Sequence, residues 1–176
     1  IIGTPRFINP ILAISDPDKD MVSLIYSGLL RPDNKGSLIP DLAKKFEISN
    51  DGLSYTFTLK PDLTWQDGKP ITSDDIIFTI QQAKDSNIKS PRRASWEGVE
   101  IEKLDDLSIR FSLEKPYVPF LENAAIGILP KHLWKEAMSD QMSFSEFNIK
   151  PIGSGPYKIK KINKNSSGII ISYELV

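Results

Sequence analysis

Residues 51–80 constrain the fold most strongly, because they combine a strand pattern, a compact turn and the start of a helix. In the first part, apolar side chains alternate with polar ones, which is the period of a strand with one buried face. The apolar members are Leu53, Tyr55, Phe57 and Leu59. Residues 60–70 then contain two prolines, one glycine and two aspartates, which predicts a turn out of the sheet. Trp65 lies inside this turn, and we expect its large apolar ring to be buried.

A helix is predicted directly after this turn, with Thr72 or Ser73 as its N-cap. Asp74 and Asp75 follow, so that a carboxylate stands three residues after a hydroxyl and both acids favour the helix N-terminus. Adjacent helical residues do not face each other, so these two aspartates are not expected to act as a catalytic pair. The predicted apolar face consists of Ile76, Ile77, Ile80 and Ala83.

Turn signals elsewhere predict hairpins and a second helix. Residues 49–52 precede the central strand, and residues 105–106 join two further alternating segments. A helix is predicted with Asp16 as its N-cap, Pro17 in its first turn and Gly28 as its stop. We therefore expect an α+β fold with a mainly antiparallel sheet flanked by helices.

Two polar segments are predicted to lie outside regular structure. Residues 86–95 are basic and interrupted by proline, which indicates an exposed loop in which Arg92 and Arg93 are solvated. Residues 139–148 show no clear periodicity and are predicted to form a linker.

The composition restricts the class of protein. The chain has 176 residues, 40% hydrophobic and 26% charged, with a net charge of −1. These values fit about one globular domain and argue against a nucleic-acid-binding surface. No apolar run approaches the roughly 18 residues of a membrane span, and the absence of cysteine excludes disulfides and thiolate zinc sites. Because the chain starts at Ile1 without a methionine and ends at Val176 inside a strand pattern, we expect it to be part of a longer protein.

Three strings of residues are similar to those of one known family. Residues 51–80 contain DGxxYTFxL followed by a tryptophan and DGKPxTxDD, residues 128–134 read ILPKHLW, and residues 151–157 fit PxGxGPY. Their order and spacing resemble the peptide and nickel class of extracellular solute-binding proteins, the receptors of ABC importers. The similarity extends from about Asn9 to Tyr157, which is nearly the whole chain.

The resemblance implies a type II periplasmic-binding-protein clamp built from two lobes. On this map, residues 1–25 begin the first ligand-facing lobe, residues 26–148 form an inserted α+β subdomain, and residues 149–176 return into the first lobe. The second lobe would lie beyond Val176.

The function implied by the resemblance is capture of a peptide, or of a nickel complex or another small solute, outside the cytoplasmic membrane. The protein would be periplasmic or a membrane-anchored lipoprotein, and it would pass its ligand to an ABC permease in the membrane. No enzymatic activity, cofactor, metal or nucleic-acid partner is implied, and we expect the chain to be monomeric.

Two other classes of function remain open at this point. A sensor or transcriptional regulator can carry the same receptor domain. A hydrolase would have to use acidic residues around the second predicted hairpin, where the sequence contains no nucleophile elbow, catalytic triad or metal-ligand set. These acidic residues are Glu97, Glu100, Asp105 and Asp106.

The candidate ligand-binding residues carried over from the family are Ile14, Ser15 and Asp16. At this place family members offer main-chain hydrogen bonds to an extended ligand. This mode suits peptides of many sequences, because backbone contacts do not depend on side-chain identity. The alternative is that Ser15 and Asp16 only cap the following helix.

The remaining residues of the family strings are expected to have structural roles. They are Trp65, Asp67, Gly68, Thr72, Asp75, Gly155, Pro156 and Tyr157. For Trp65 the alternative is an aromatic binding platform. His132 is the only histidine and, without cysteine, is not expected to build a metal site. Residues 153–155 lack the GK[ST] sequence and the following helix of a phosphate cradle, so no nucleotide site is predicted there.

Overall fold

A computed structural model describes residues 3–176, so Ile1 and Ile2 of the predicted first segment lie outside the described residues. The helices are α1 (Asp16–Ile25), α2 (Ser73–Lys84), α3 (Phe120–Asn123) and α4 (Lys131–Trp134). The strands are β1 (Leu30–Pro32), β2 (Leu38–Pro40), β3 (Ala43–Ile48), β4 (Ser54–Leu59), β5 (Val99–Asp105), β6 (Ser108–Leu113), β7 (Ile159–Lys164) and β8 (Ile170–Leu175). Short 3-10 helices span Arg93–Trp96, Ser139–Phe144 and Glu146–Asn148.

The centre of the fold is a four-stranded sheet in the order β3-β4-β6-β5, in which all neighbouring strands are antiparallel. β4 is the strand predicted from the alternating pattern: Tyr55, Phe57 and Leu59 are buried, whereas Thr56 and Thr58 are half-buried. β1 pairs with β2, and β7 pairs with β8, as two separate antiparallel hairpins. The prediction of an α+β fold with mainly antiparallel sheet is confirmed.

The turn at residues 49–52 joins β3 to β4 as predicted. Gly52 has φ +69°, in the left-handed region that favours glycine, and its N–H donates to Ser49 O at 2.9 Å. The Asp51 carboxylate accepts the Leu53 N–H at 3.0 Å and so stabilises the turn. The resulting register places Phe46 opposite Phe57, and their rings stack with centroids 5.5 Å apart.

Aromatic side chains fill the core on one face of the sheet. The Phe111 ring centroid lies 5.8 Å from that of Phe57 and 5.6 Å from that of Trp96. Phe120 of α3 lies 5.5 Å from Phe111 and 4.6 Å from Tyr55. These offset and edge-on arrangements are the ones that aromatic rings prefer, so the cluster ties α3 and the segment before β5 to the sheet.

α2 is buried through most of the face predicted for it. Ile77 is half-buried and packs against the core at the border of this face. The buried apolar and hydroxyl side chains of α2 are Ser73, Ile76, Phe78, Thr79, Ile80 and Ala83.

Thr79 of α2 links the helix to the segment before α4, and the link can be tested by mutation. Its hydroxyl donates to Asp75 O at 2.8 Å and accepts the Leu129 N–H at 2.9 Å. Thr79→Val keeps the shape but leaves the buried Leu129 N–H unpaired, so the free energy of unfolding is expected to fall by about 1–3 kcal/mol in urea denaturation. Thr58→Val, on the half-buried side of β4, is the control and should change it by less than about 0.5 kcal/mol. Equal effects of the two substitutions would contradict this role of Thr79.

The predictions for the two polar segments hold only in part. In residues 86–95, Arg92 and Arg93 are exposed as predicted, but Ile88 and Ser90 are buried. In residues 139–148, Met142 is fully buried and Asn148 is buried as well. Both segments are packed parts of the fold, because a few of their side chains find partners in the interior that the polar composition does not reveal.

Candidate ligand-binding loop

Two buried asparagines anchor the loop that precedes α1. Asn9 Nδ2 donates to Asn148 Oδ1 at 3.0 Å, and Asn148 Nδ2 donates to Met142 O at 2.8 Å. Asn9 Oδ1 also accepts the Ile11 N–H at 3.0 Å. The backbone follows the same path, since the Ile8 N–H donates to Asn148 O at 2.9 Å. Buried amides with these hydrogen bonds fix the backbone on either side of them.

A second anchor comes from the segment between α2 and β5. Ser90 Oγ donates to Ile11 O at 2.6 Å and accepts the Arg92 N–H at 3.1 Å. The hydroxyl therefore uses both its donor and its acceptor function inside the protein. The loop before α1 is thus held from two sides by residues distant in sequence.

α1 begins with a capping box made by Ser15 and Asp18. Ser15 Oγ accepts the Asp18 N–H at 3.3 Å, and Asp18 Oδ2 accepts the Ser15 N–H at 3.2 Å. The prediction of Asp16 as N-cap is wrong by one residue: Asp16 is the first helical residue, and its side chain is 93% exposed. Ser15 takes the cap because Asp18 completes the reciprocal pair.

Asp18 is a buried carboxylate that accepts hydrogen bonds from four backbone N–H groups. The donors are Arg6 (2.6 Å), Phe7 (3.0 Å), Ser15 (3.2 Å) and Ile14 (3.4 Å). Burial by itself raises the pKa of this carboxyl, but the hydrogen bonds from Phe7, Ser15 and Arg6 together hold the pKa below its ordinary value. Asp18 is therefore charged at neutral pH and ties the segment before the loop to the loop itself.

Ile14, Ser15 and Asp16 are all exposed, as a ligand-contacting loop requires. Ile14 is 66% exposed although it is apolar, whereas Leu12 and Ala13 just before it are buried. The loop therefore combines a backbone fixed on its inner side with an open outer side. A contact between these three residues and a ligand stays a prediction.

Trp65 is 2% exposed and lies in a closed turn. The backbone N–H of Trp65 donates to Lys69 O at 2.8 Å, and the Gly68 N–H donates to the backbone carbonyl of Trp65 at 2.9 Å. Gly68 has φ +84°, a conformation that favours glycine. An indole with so little exposed surface offers no face to a solute in this structure, which favours a packing role for Trp65.

Asp67 links the tryptophan turn to α4. Its Oδ2 lies 2.7 Å from His132 Nε2. Burial works to raise the pKa of Asp67, but its hydrogen bonds with His132 and the Lys69 N–H lower the pKa overall. His132 is thus paired with a carboxylate, and residues 3–176 contain no group of three His, Cys, Asp or Glu side chains that could hold a metal ion.

Asp75 joins the start of α2 to the start of α4. Thr72 is the N-cap of α2, and its N–H donates to Asp75 Oδ2 at 3.0 Å, while Oδ1 accepts the Lys131 N–H at 2.9 Å. Burial raises the pKa of Asp75 and outweighs these hydrogen bonds. Asp74 instead lies 3.0 Å from Lys103 Nζ and 3.7 Å from Lys131 Nζ, so the two aspartates form separate contacts.

Two glycines bring a later segment of the chain against the C-terminal end of α1. The Gly155 N–H donates to Ile25 O at 2.8 Å. A Cβ on Gly153 would lie 1.9 Å from Ile25 O, so no larger residue fits there. Pro156 and Tyr157 are exposed, and the Tyr157 N–H donates to Leu24 O at 3.0 Å.

Gln66 connects this glycine segment to the tryptophan turn. Gln66 Oε1 accepts the Gly153 N–H at 3.1 Å, and the Gln66 N–H donates to Gly153 O at 3.0 Å. Gln66 Nε2 donates to Tyr157 O at 2.7 Å and to Gly155 O at 3.3 Å. The side chain and the backbone N–H of Gln66 therefore hold the glycine segment, which also contacts α1 through Ile25 and Leu24.

The sequence reasoning missed Asn9, Ser90, Asn148 and Gln66, which hold the candidate loop and the glycine segment. Among the residues that hold the loop, only Asp18 could have been found from the sequence, because Ser15 followed three positions later by Asp18 is a capping pattern. In the part of the chain that the structure describes, no helix is long and apolar enough to cross a membrane.

The protein family of this chain follows from its match to a family model. The model described as "Bacterial extracellular solute-binding proteins, family 5 Middle" matches residues 37–172. The chain belongs to this family. The resemblance of the three sequence strings is thereby confirmed.

Two relatives of this family 5 protein show what share of their length the chain covers. The oligopeptide-binding protein AppA of Bacillus subtilis is 32% identical over 164 residues, which are 91% of this chain and 30% of AppA. The dipeptide-binding protein of Escherichia coli is 29% identical over 187 residues, covering 93% of this chain and 35% of the relative. The chain therefore spans about a third of the length of these relatives.

Solved structures of family members share the fold of this family 5 protein. NikZ from Campylobacter jejuni, in complex with Ni(L-His), has a TM-score of 0.81 and 39% identity, over 90% of this chain and 31% of NikZ. AppA from Bacillus subtilis, in complex with a nonapeptide, has a TM-score of 0.87 and 31% identity, over 94% of this chain and 34% of AppA.

Proposed function

We propose that this chain is part of the substrate-binding component of an ABC importer, which captures a peptide or a related small solute and delivers it to the permease. Family membership supports the class of protein. The observation that carries the proposal is the loop before α1, fixed on its inner side by Asn9, Ser90 and Asp18 while residues 14–16 stay exposed. A rigid, open stretch of backbone suits recognition of an extended ligand through main-chain hydrogen bonds.

The same proposal assigns the chain to parts of a two-lobed clamp. Residues 1–25 begin the first lobe, residues 26–148 form the inserted subdomain, and residues 149–176 return into the first lobe. Two observations support it: the four-stranded sheet lies entirely within the middle part, and Gly155 pairs with Ile25, which joins the first and last parts. The second lobe of the clamp would be contributed by further polypeptide.

We also propose that the protein is not an enzyme, acts outside the cytoplasmic membrane, and is monomeric in the form of this chain. The acidic residues of the hydrolase alternative have separate surroundings. Asp105 Oδ1 accepts the Leu107 N–H at 2.7 Å, and Asp106 forms a salt bridge with Lys103 at 2.8 Å. Glu97 and Glu100 are exposed. Separate, solvated carboxylates do not make the paired acid and base that hydrolysis requires.

A nickel complex is the second candidate solute. It is favoured by one observation, the 39% identity to NikZ, whose structure contains Ni(L-His). Residues 3–176 hold no group of three metal-ligating side chains, so these residues by themselves would meet nickel only as a complex that carries ligands of its own.

An NMR titration of the 176-residue chain tests the proposal. A nonapeptide pool is added to millimolar concentration, and Ni(L-His) is added in a parallel sample. We expect the peptides to shift the amide signals of residues 13–16 with a dissociation constant weaker than about 1 μM, because a single lobe encloses only one side of the ligand. Signals of β5, an edge strand of the sheet, serve as the internal control.

Each alternative outcome has a defined meaning. Changes near residues 13–16 with Ni(L-His) and none with peptides would favour the nickel complex. Binding at micromolar strength or tighter would show that the complete recognition surface lies within these residues. No change with either solute would contradict the proposed role of the loop.

A further inference from the structure

Asp18 controls the direction of two peptide groups in the candidate loop. Its carboxylate accepts the N–H groups of Ile14 at 3.4 Å and Ser15 at 3.2 Å, both on Oδ2. Consecutive N–H groups that point at one anion form a backbone nest. In the part of the chain that the structure describes, no lysine, arginine or histidine forms a salt bridge with Asp18, so backbone donors stabilise its charge.

The orientation of the carbonyl groups follows from this contact. A trans peptide unit is planar, with its C=O and N–H pointing in opposite directions, and the described residues contain no cis peptide bond. Because the N–H groups of Ile14 and Ser15 point at Asp18, the carbonyl groups of Ala13 and Ile14 point away from it. Neither of these two carbonyl oxygens accepts a hydrogen bond from another residue between 3 and 176.

We propose that Asp18 is a positioning residue that turns the Ala13 and Ile14 carbonyl oxygens toward the ligand, so that this loop recognises hydrogen-bond donors. The inference rests on the proposed function and specifies its chemistry. The groups that fit are the amide N–H or ammonium groups of an extended peptide; a ligand carboxylate does not fit, because the neighbouring backbone donors are already bound to Asp18. The exposed Ile14 side chain lies between the two carbonyls and supplies the apolar contact beside them.

A carboxylate is required at this position because its two oxygens together accept four N–H groups. An asparagine amide has one acceptor oxygen, and its NH₂ group would face some of the backbone donors. Asp18→Asn should therefore release part of the loop while keeping the size of the side chain. Asp20→Asn is the matched control, since Asp20 is an exposed acid on the same helix and the substitution changes the charge equally.

The test follows the Ile14 and Ser15 amide proton signals of the 176-residue chain as a function of pH. Since the folded-state pKa of Asp18 lies below its ordinary value of about 4, both signals should titrate together below that pH. The other charged groups of these segments are Asp16, Lys19 and Asp20 on α1 and Arg6 before the loop, and neither the Ile14 nor the Ser15 amide donates to any of them. In Asp18→Asn the shared titration should disappear, and amide exchange at both positions should become at least about tenfold faster. Asp20→Asn should retain the titration and the slow exchange.

The recognition part is tested with trialanine and with trialanine methylated on its backbone nitrogens, each added to millimolar concentration. We expect trialanine to shift signals of residues 13–15 and the methylated peptide to lose at least about tenfold in affinity, because it lacks the donors. Equal binding of the two peptides overturns donor recognition, and failure of the two amides to titrate together overturns the positioning role. If the amides titrate but no peptide binds, the proposed function and donor recognition fail while the positioning role of Asp18 stands.

Discussion

Replacing Trp65 with alanine is expected to lower the free energy of unfolding by about 3–5 kcal/mol, measured by urea denaturation followed by circular dichroism. The indole ring is 2% exposed, so its removal leaves a cavity that the closed turn around it cannot fill by collapse. Such a loss is a large share of the roughly 5–15 kcal/mol that stabilises a typical domain. The turn also carries Gln66 and Asp67, so their contacts with the glycine segment and with His132 should loosen at the same time.

Phe144→Ala provides the control for removal of an aromatic ring. Phe144 is 81% exposed, and its truncation should change the free energy of unfolding by no more than about 0.5 kcal/mol. A Trp65→Ala variant that unfolds like the unmodified chain but binds peptides more weakly would show that Trp65 is a binding platform and not a packing residue.

Gly153→Ala is expected to destabilise the protein by about 3 kcal/mol or more, near or above the upper end for overpacked sites. The new Cβ would lie 1.9 Å from Ile25 O and 2.7 Å from the Ile25 carbonyl carbon. Because these are backbone atoms at the end of α1, no side-chain rotation can relieve the overlap. The helix and the glycine segment must separate, which breaks the hydrogen bond from the Gly155 N–H to Ile25 O.

Gly36→Ala separates steric overlap from the ordinary cost of replacing glycine. No atom lies within 4 Å of a Cβ built on Gly36, but its φ of +81° is unfavourable for alanine and costs about 1 kcal/mol. Thermal and urea unfolding of both variants give the comparison. Equal losses of stability would argue against close packing of Gly153 on α1.

The parts of the fold that could be predicted from the sequence are those set by local periodicity. β4 and α2 were predicted from two- and 3.6-residue patterns, and the turn at residues 49–52 from its residue types. The sequence pattern places the N-terminus of α1 one residue too late, because Ser15 and Asp16 both suit a cap and only the reciprocal contact with Asp18 decides between them.

The contacts that hold the candidate loop could not be predicted in the same way. Asn9 and Asn148 are ordinary loop residues by type, and no periodicity distinguishes a buried, fully paired asparagine from a solvated one. Ser90 and Gln66 lie in segments whose composition indicates exposure. Their partners are distant in the chain, so tertiary structure decides their role and local propensity does not.

The pairing of Asn9 with Asn148 spans 139 positions of the chain, so the candidate loop can be completed only after residue 148 has been made. Closing so long a span costs conformational entropy before any contact is gained, whereas the hairpins of the four-stranded sheet close over short distances.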